Sequence, residues 1–180
     1  FALFVVLPAC FARRAEVWLL SLLALFILCP LFPWRVMLGR PFALTMAVLC
    51  GYLFAFPDRA ASPSRATSVA LVLLTALATW AHGLWYPWVL LLAAVAAAAG
   101  WRRAAHAGGL VAAGVVMGAC ATGSPVDFLV QTGWHAVLAF RGAGGLRELA
   151  YEFHPVVPEV LAVVAVAAPA AAARMRGLGG

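Results

Sequence analysis

Seven apolar runs separated by short polar connections dominate the chain, at residues 1–12, 17–33, 42–56, 68–81, 88–100, 108–121 and 156–173. Almost no charge interrupts them, and such runs predict helices that face oil rather than water. Several fall short of the roughly 20 residues that cross a bilayer, so neighbouring turn residues must extend them. Pro30 and Pro33 are expected to kink or end the second helix near an interface. Pro169 falls inside the last run, where a membrane helix tolerates it. The first run begins at Phe1, ahead of any Met, and is too short to span. The expectation is a fragment that enters within a helix whose start lies upstream. The expected fold is all-α, a single polytopic transmembrane helical bundle of about six to seven spans.

The one long connection, residues 122–155, has a different pattern. Val126, Leu129, Val130, Trp134, Val137 and Leu138 recur at helical spacing. Asp127, Gln131 and His135 form an i, i+4, i+8 line on another face. This predicts an amphipathic helix lying in the outer interface or packed on the bundle. Gly142, Gly144 and Gly145 should break it, and a second short helix over residues 146–153 should precede Pro155. Connections of this length are usually functional or disordered, and the helical periodicity here speaks against disorder.

Composition sharpens the membrane expectation. The chain is 66% hydrophobic and 10% charged, where a soluble domain is roughly a quarter charged. All twelve cations are Arg, and the net charge is +6. The arginines fall mostly in pairs between apolar runs, a pattern of cytoplasmic loops and not of a nucleic-acid surface. Abundant Ala and the lack of Lys suggest a GC-rich bacterial genome. The four cysteines lie singly inside apolar runs, with no zinc spacing, and read as small buried residues. Gly114-x-x-x-Gly118 permits close helix approach in lipid, and internal packing is the expected use over a dimer seam.

The arginines also orient the chain. Arg13, Arg14, Arg59, Arg65, Arg102, Arg103, Arg174 and Arg176 fall in one alternating set of connections; Arg35, Arg40, Arg141 and Arg147 fall in the other. The positive-inside rule puts the richer set in the cytoplasm. Residues 82–87 and 122–155 are then extracytoplasmic on a multi-pass protein of the inner (plasma) membrane.

Residues 79–88 read T-W-A-H-G-L-W-Y-P-W. Trp85, Tyr86 and Trp88 are expected as interface anchors, since their rings favour oil and their N–H or O–H favours water. The alternative is stacking against a sugar ring or a polyprenyl tail. His82 reads as a helix-end group bonded to a carbonyl, or as a contact to a phosphate or sugar hydroxyl. His82, His135, His154, Asp127, Glu148, Glu152 and Glu159 all fall on the outward side, and titratable groups near a bilayer are costly unless they serve a purpose. The bland readings are a solvated face for Asp127, Gln131 and His135, and surface ion pairs for Glu148 with Arg147 and Glu152 with His154. Glu152 or Asp127 acts as a base only within about 3 Å of a substrate hydroxyl. No phosphate-binding loop, dinucleotide fingerprint, nucleophile elbow or H-E-x-x-H occurs.

His82-Gly83-Leu84-Trp85-Tyr86, then Trp101-Arg102-Arg103, then Thr122-Gly123-Ser124-Pro125-Val126-Asp127-Phe128-Leu129-Val130-Gln131-Thr132 resembles the later part of bacterial multispan proteins related to the GT-C membrane glycosyltransferases. The resemblance covers roughly residues 67–155. It implies transfer of a sugar from a polyprenyl-phosphate carrier to an acceptor on the outer side of the membrane. It places the acidic catalytic residue in a first outward loop upstream of Phe1, so that no residue here inherits that role. His82 and Asp127 carry over to the wall of the outer cavity. Trp85, Tyr86, Gln131, His135, Arg141 and Glu152 are further candidate substrate contacts, with Arg141 or Arg147 as the cation for phosphate. No cofactor is expected, and a divalent cation stays open. The competing readings are a transporter or flippase, a polymerase or ligase of lipid-linked glycans, and a structural membrane subunit.

Cysteines introduced at positions 82 and 135 should both react with a membrane-impermeant maleimide from outside intact cells. Labelling only after permeabilisation would overturn the orientation and the outer site together.

Overall fold

A computed structural model describes residues 2–12, 15–28, 42–56, 62–83 and 87–141. They form seven helices: α1 (Ala2–Phe11), α2 (Ala15–Leu28), α3 (Phe42–Ala55), α4 (Arg65–His82), α5 (Pro87–Ala99), α6 (Trp101–Cys120) and α7 (Pro125–Arg141). No strand occurs among the described residues. The described parts of the first six apolar runs therefore form helices, and the long connection contributes α7. The run at 156–173 and the short helix expected at 146–153 lie outside the described residues. By length and composition, α6 alone among the described helices is long and apolar enough to cross a membrane; α2, α3 and α4 are apolar but shorter.

The most extensive contact joins α4 to α6. An ideal Cβ on Gly114 would lie 2.5 Å from Thr75 Cβ and 2.8 Å from the Val72 carbonyl oxygen. One on Gly118 would lie 2.9 Å from Thr79 Cβ and would also strike the Ala76 carbonyl oxygen. The two helices therefore run parallel, at a separation only glycine permits. The Gly-x-x-x-Gly spacing is used inside the fold, as expected. α5 returns antiparallel against α6 through Gly100, whose φ of 91° favours glycine.

α3 packs against α4 and α1. Thr75 donates its hydroxyl proton to the Leu71 carbonyl at 2.7 Å. Its oxygen is then the acceptor for the Tyr52 hydroxyl, 3.1 Å away. The Tyr52 ring stacks on Phe56 and meets the edge of Trp88, with centroids 6.1 and 5.9 Å apart. Trp18 ties α2 to its neighbours: its Nε1 donates to the Val5 carbonyl at 2.9 Å and its ring meets Phe54 edge-on.

These contacts correct two expectations. Trp88 is only 2% exposed and belongs to the core rather than to an interface, because Tyr52 on α3 covers it. Cys10 and Cys120 are exposed, so these two are not small buried residues but stand on outward helix faces; Cys50 is half-buried against the cluster of Trp18, Leu22 and Ala47, and Cys29 lies outside the described residues.

The helix ends sort into two groups. Trp18 meets Phe54, Phe56 meets the His106 ring at 5.4 Å, and Arg103 Nη1 donates to Ser62 Oγ at 2.8 Å. The starts of α2, α4 and α6 and the end of α3 thus share one end of the bundle. The end of α4 and the start of α7 share the other, where Phe128 and Thr132 approach Gly83. The connections alternate between ends, as the arginine pattern requires.

Gly118→Val should destabilise the protein by about 1–3 kcal/mol, because a backbone carbonyl cannot yield to the new side chain. Nothing lies within 4 Å of a Cβ placed on Gly109, so Gly109→Ala should stay within about 0.5 kcal/mol of the parent or gain slightly. Thermal unfolding followed by circular dichroism reads both; equal midpoints would refute the packing role of Gly118.

Candidate functional site

The end where α4 stops, α5 starts and α7 folds back holds most of the described candidate residues. α4 stops because Gly83 takes the left-handed conformation (φ 69°) and donates its N–H to the Thr79 carbonyl at 2.7 Å. Pro87 opens α5, at a position where a helix does not use the missing N–H. At the end of α6 the Thr122 hydroxyl donates to the Ala119 carbonyl at 2.6 Å, and Gly123 turns the chain with φ 84°. The Ser124 carbonyl then accepts the Phe128 N–H at 2.9 Å, starting α7 behind Pro125. Asp127 falls in the first turn of α7, where the helix dipole favours a carboxylate.

α7 seats on the bundle through the glycine of the aromatic turn. A Cβ on Gly83 would lie 2.7 Å from Thr132 Cγ2 and 3.3 Å from the Phe128 ring. Thr132 Oγ1 donates back to the Phe128 carbonyl at 2.8 Å, which holds the threonine rotamer. The hairpin and the long connection are therefore in direct contact.

Three faces result on α7. Pro125, Phe128, Leu129, Thr132 and Gly133 are half-buried. Val126, Val130, Trp134 and Val137 form an exposed apolar stripe. Asp127, Gln131 and His135 form an exposed polar stripe, its centre about 100° around the helix from the apolar one at 100° per residue. The expected apolar set is thus split. Leu129 is half-buried, while the contact with Gly83 is made by Phe128 and Thr132. A flat ring and a methyl fit the bare backbone at Gly83, and the branched and indole side chains are left facing outward.

Asp127, Gln131 and His135 are thus brought to one exposed line beside the hairpin. His82 is the last residue of α4, next to Gly83, and Arg141 is the last residue of α7; their side chains lie outside the description. Trp85, Tyr86 and Glu152 lie outside the described residues, as do Arg147, Glu148 and His154. Among the described residues no three His, Cys, Asp or Glu side chains group as metal ligands.

Sequence reasoning missed Gly83, Phe128 and Thr132 as the seat of α7. It also missed a line of buried neutral polar groups. Thr45, Thr75 and Thr79 are buried, and Thr45 Oγ1, Thr79 Oγ1 and Trp88 Nε1 have no hydrogen-bond partner among the described residues. The available signal was the four-residue spacing of Thr75 and Thr79, matching that of Gly114 and Gly118.

Gly83→Ala should loosen α7, through a left-handed φ that costs about 1 kcal/mol and through the clash with Thr132. Hydrogen exchange should rise several-fold at residues 128–135 and much less in α6. Adding Thr132→Ala should restore part of the protection; unchanged exchange in Gly83→Ala would refute the seating.

Comparison with protein-family models, with curated proteins and with solved structures gives no match.

Proposed function

We propose that the chain is a multispan membrane protein, part of a glycosyltransferase that moves a sugar from a polyprenyl-phosphate donor to an acceptor at the outer face. The membrane part of this reading is supported by two exposed tryptophans. Trp101, 79% exposed, starts α6; Trp80, 55% exposed, lies near the end of α4. The register of Gly114 on Thr75 and Gly118 on Thr79 puts Trp80 level with Ala119. The two indoles are then about 27 Å apart along the bundle at 1.5 Å per residue, close to the roughly 30 Å of a hydrocarbon core. Val69, Leu73 and Leu77 on α4 and Val116 and Met117 on α6 are exposed between them. An isolated protein in water rarely exposes such a belt, and indoles at both margins suit two interfaces.

The observation that carries the substrate class is the pair of adjacent open stripes on α7. A polyprenyl phosphate has an apolar tail joined to an anionic, hydroxyl-rich head. The Val126–Val130–Trp134 stripe suits the tail. Asp127, Gln131 and His135 offer acceptors and donors for sugar hydroxyls. Arg141 ends the same helix and supplies a cation for phosphate. His82, Trp85 and Tyr86 on the hairpin and Glu152 beyond α7 complete the proposed wall. The residues of this wall would bind and orient the donor, and any divalent cation would serve the phosphate. The sugar–phosphate bond itself supplies the driving force, so no nucleotide site is needed at the outer face. No charged side chain is buried among the described residues, which favours this reading over an ion-coupled carrier, where buried charges line the path. The neutral polar line keeps a flippase as the second reading, and a glycan polymerase or ligase would use the same outer face.

Membranes containing the protein as the cell makes it should transfer label from one member of a panel of polyprenyl-phosphate sugars. Gln131→Ala and His135→Ala should each lower the rate about tenfold, the equivalent of one well-made hydrogen bond. Transfer from no donor, or variants as active as the parent, would overturn the proposal.

A further inference from the structure

The three buried polar atoms without a hydrogen-bond partner among the described residues, Thr45 Oγ1, Thr79 Oγ1 and Trp88 Nε1, share a position in the fold. Thr45 is the fourth residue of α3, Thr79 lies three residues before the end of α4, and Trp88 is the second residue of α5. The end of α3 and the start of α4 share the far end of the bundle, so all three groups lie in terminal turns at the hairpin end. All three also face inward. Thr45 shares the buried face of α3 with Val48 and Tyr52, Thr79 follows Thr75 by one turn on α4, and Trp88 begins the buried line of Leu91 and Val95 on α5. The Tyr52 and Thr75 hydroxyls meet at 3.1 Å across the seam of α3 and α4. These helices are antiparallel, so stepping back from Tyr52 and on from Thr75 reaches Thr45 and Thr79 at the same end of that seam. Trp88 reaches it from α5, with its ring against Tyr52. Above Thr79, one turn on at Gly83, sit Phe128 and Thr132 of α7.

A buried donor or acceptor without a partner is costly, and here three such groups from three helices converge on one end. Their chemistry selects what would satisfy them. The indole only donates, and each threonine hydroxyl donates or accepts. No charged side chain is buried with them among the described residues, so a charged group would enter at a large desolvation cost. An uncharged group with several hydroxyls meets all three, accepting from the indole and exchanging bonds with the threonines. Thr45, Thr79 and Trp88 are each at most 2% exposed, so such a group reaches them only when the end of the bundle opens. α7 is the element placed to open it. Its docking contact is at Gly83, and the turn that leads into it carries Gly123 at φ 84°.

We propose that Thr45, Thr79 and Trp88 form a binding site for an uncharged polyhydroxyl group, the chemistry of a sugar, and that α7 is its lid, hinged at residues 121–124 and latched at Gly83. The site deepens the reading above and rests on its sugar-handling part, not on transfer. A protein that binds the sugar and transfers none keeps the site and loses the transferase.

The test uses the full chain in phosphatidylcholine nanodiscs with ¹⁵N-labelled indoles, the Trp88 N–H resonance being assigned by its loss in Trp88→Phe. Octyl glucoside should shift that resonance saturably. Octanol, whose single hydroxyl cannot reach three helices, and octyl phosphate, which is charged, should bind at least about tenfold more weakly. Thr45→Val and Thr79→Val keep the shape of the parent and should each weaken octyl glucoside about tenfold, the share of one hydrogen bond. Without ligand both should unfold no earlier than the parent, since each removes a hydroxyl that bonds no described residue. Gly83→Ala, which loosens α7, should speed hydrogen exchange at the Trp88 indole several-fold. No saturable shift at Trp88, an equal shift from octanol, or undiminished binding by both valine variants overturns the site. Equal binding of octyl phosphate overturns the uncharged assignment. An earlier midpoint in the ligand-free valine variants overturns the premise that these hydroxyls await a partner. Unchanged exchange at Trp88 in Gly83→Ala overturns the lid.

Discussion

The parallel contact between α4 and α6 is the constraint from which the rest of the arrangement follows. Gly114 and Gly118 bring the α6 backbone onto Thr75, Thr79 and the Ala76 carbonyl. In a chain this apolar, burial of oil alone selects no register, because sliding one helix along another exchanges one apolar neighbour for another. Steric fit can select it. Two glycines spaced four apart accept two threonines spaced four apart only when each glycine faces its own threonine. Thr75 is also the acceptor for Tyr52, so the same register places α3, and the Tyr52 ring in turn covers Trp88 at the start of α5.

That register distributes the polar groups between two ends. Parallel α4 and α6 put Arg65 and Arg102 together at one end and Gly83 and Cys120 at the other. The chain leaving α6 then needs only the turn at residues 121–124 to lay α7 across the end of α4. Gly83 serves twice there. Its left-handed backbone stops α4, and its missing side chain admits Phe128 and Thr132. A larger residue would oppose both functions, so helix termination and α7 docking depend on one position.

Much of this was legible in the amino-acid sequence. Continuous apolar runs marked the helices, since little besides a helix satisfies its own backbone in such surroundings. Glycine spacing pointed to close packing within the fold, and the arginine alternation pointed to the grouping of the ends. Trp88 was misread because composition reports affinity for an interface, whereas its burial depends on Tyr52, thirty-six residues earlier in the chain. Cys10 and Cys120 were misread for a related reason. In a soluble protein an apolar position implies burial; in a helix that is apolar on every side it does not, and Cys10 and Cys120 occupy outward faces. The face of α7 that packs was also hidden. Hydrophobic periodicity finds the widest apolar stripe, but contact went to the residues whose shapes fit a bare glycine.

The exposed apolar stripe of α7 and the exposed belt on α4 and α6 pose one physical question. A helix that needed water on its outer side would place Val126, Val130 and Trp134 inward and Asp127, Gln131 and His135 outward. α7 instead leaves both sets open and uses a third face for docking. Leaving an apolar stripe in water forgoes about 25 cal/mol per Å² that rotation of the helix would recover. The observed rotation is the stable one where the apolar stripe meets hydrocarbon and the polar stripe meets the headgroup layer or a ligand lying in it. Trp134, 57% exposed at the junction of the two stripes, suits that boundary, with its ring in oil and its N–H toward the polar side. On the proposed membrane reading α7 lies along the bilayer surface, where hydrocarbon would set its rotation and the docking face at Gly83 its position, and the polar line would face the headgroup side.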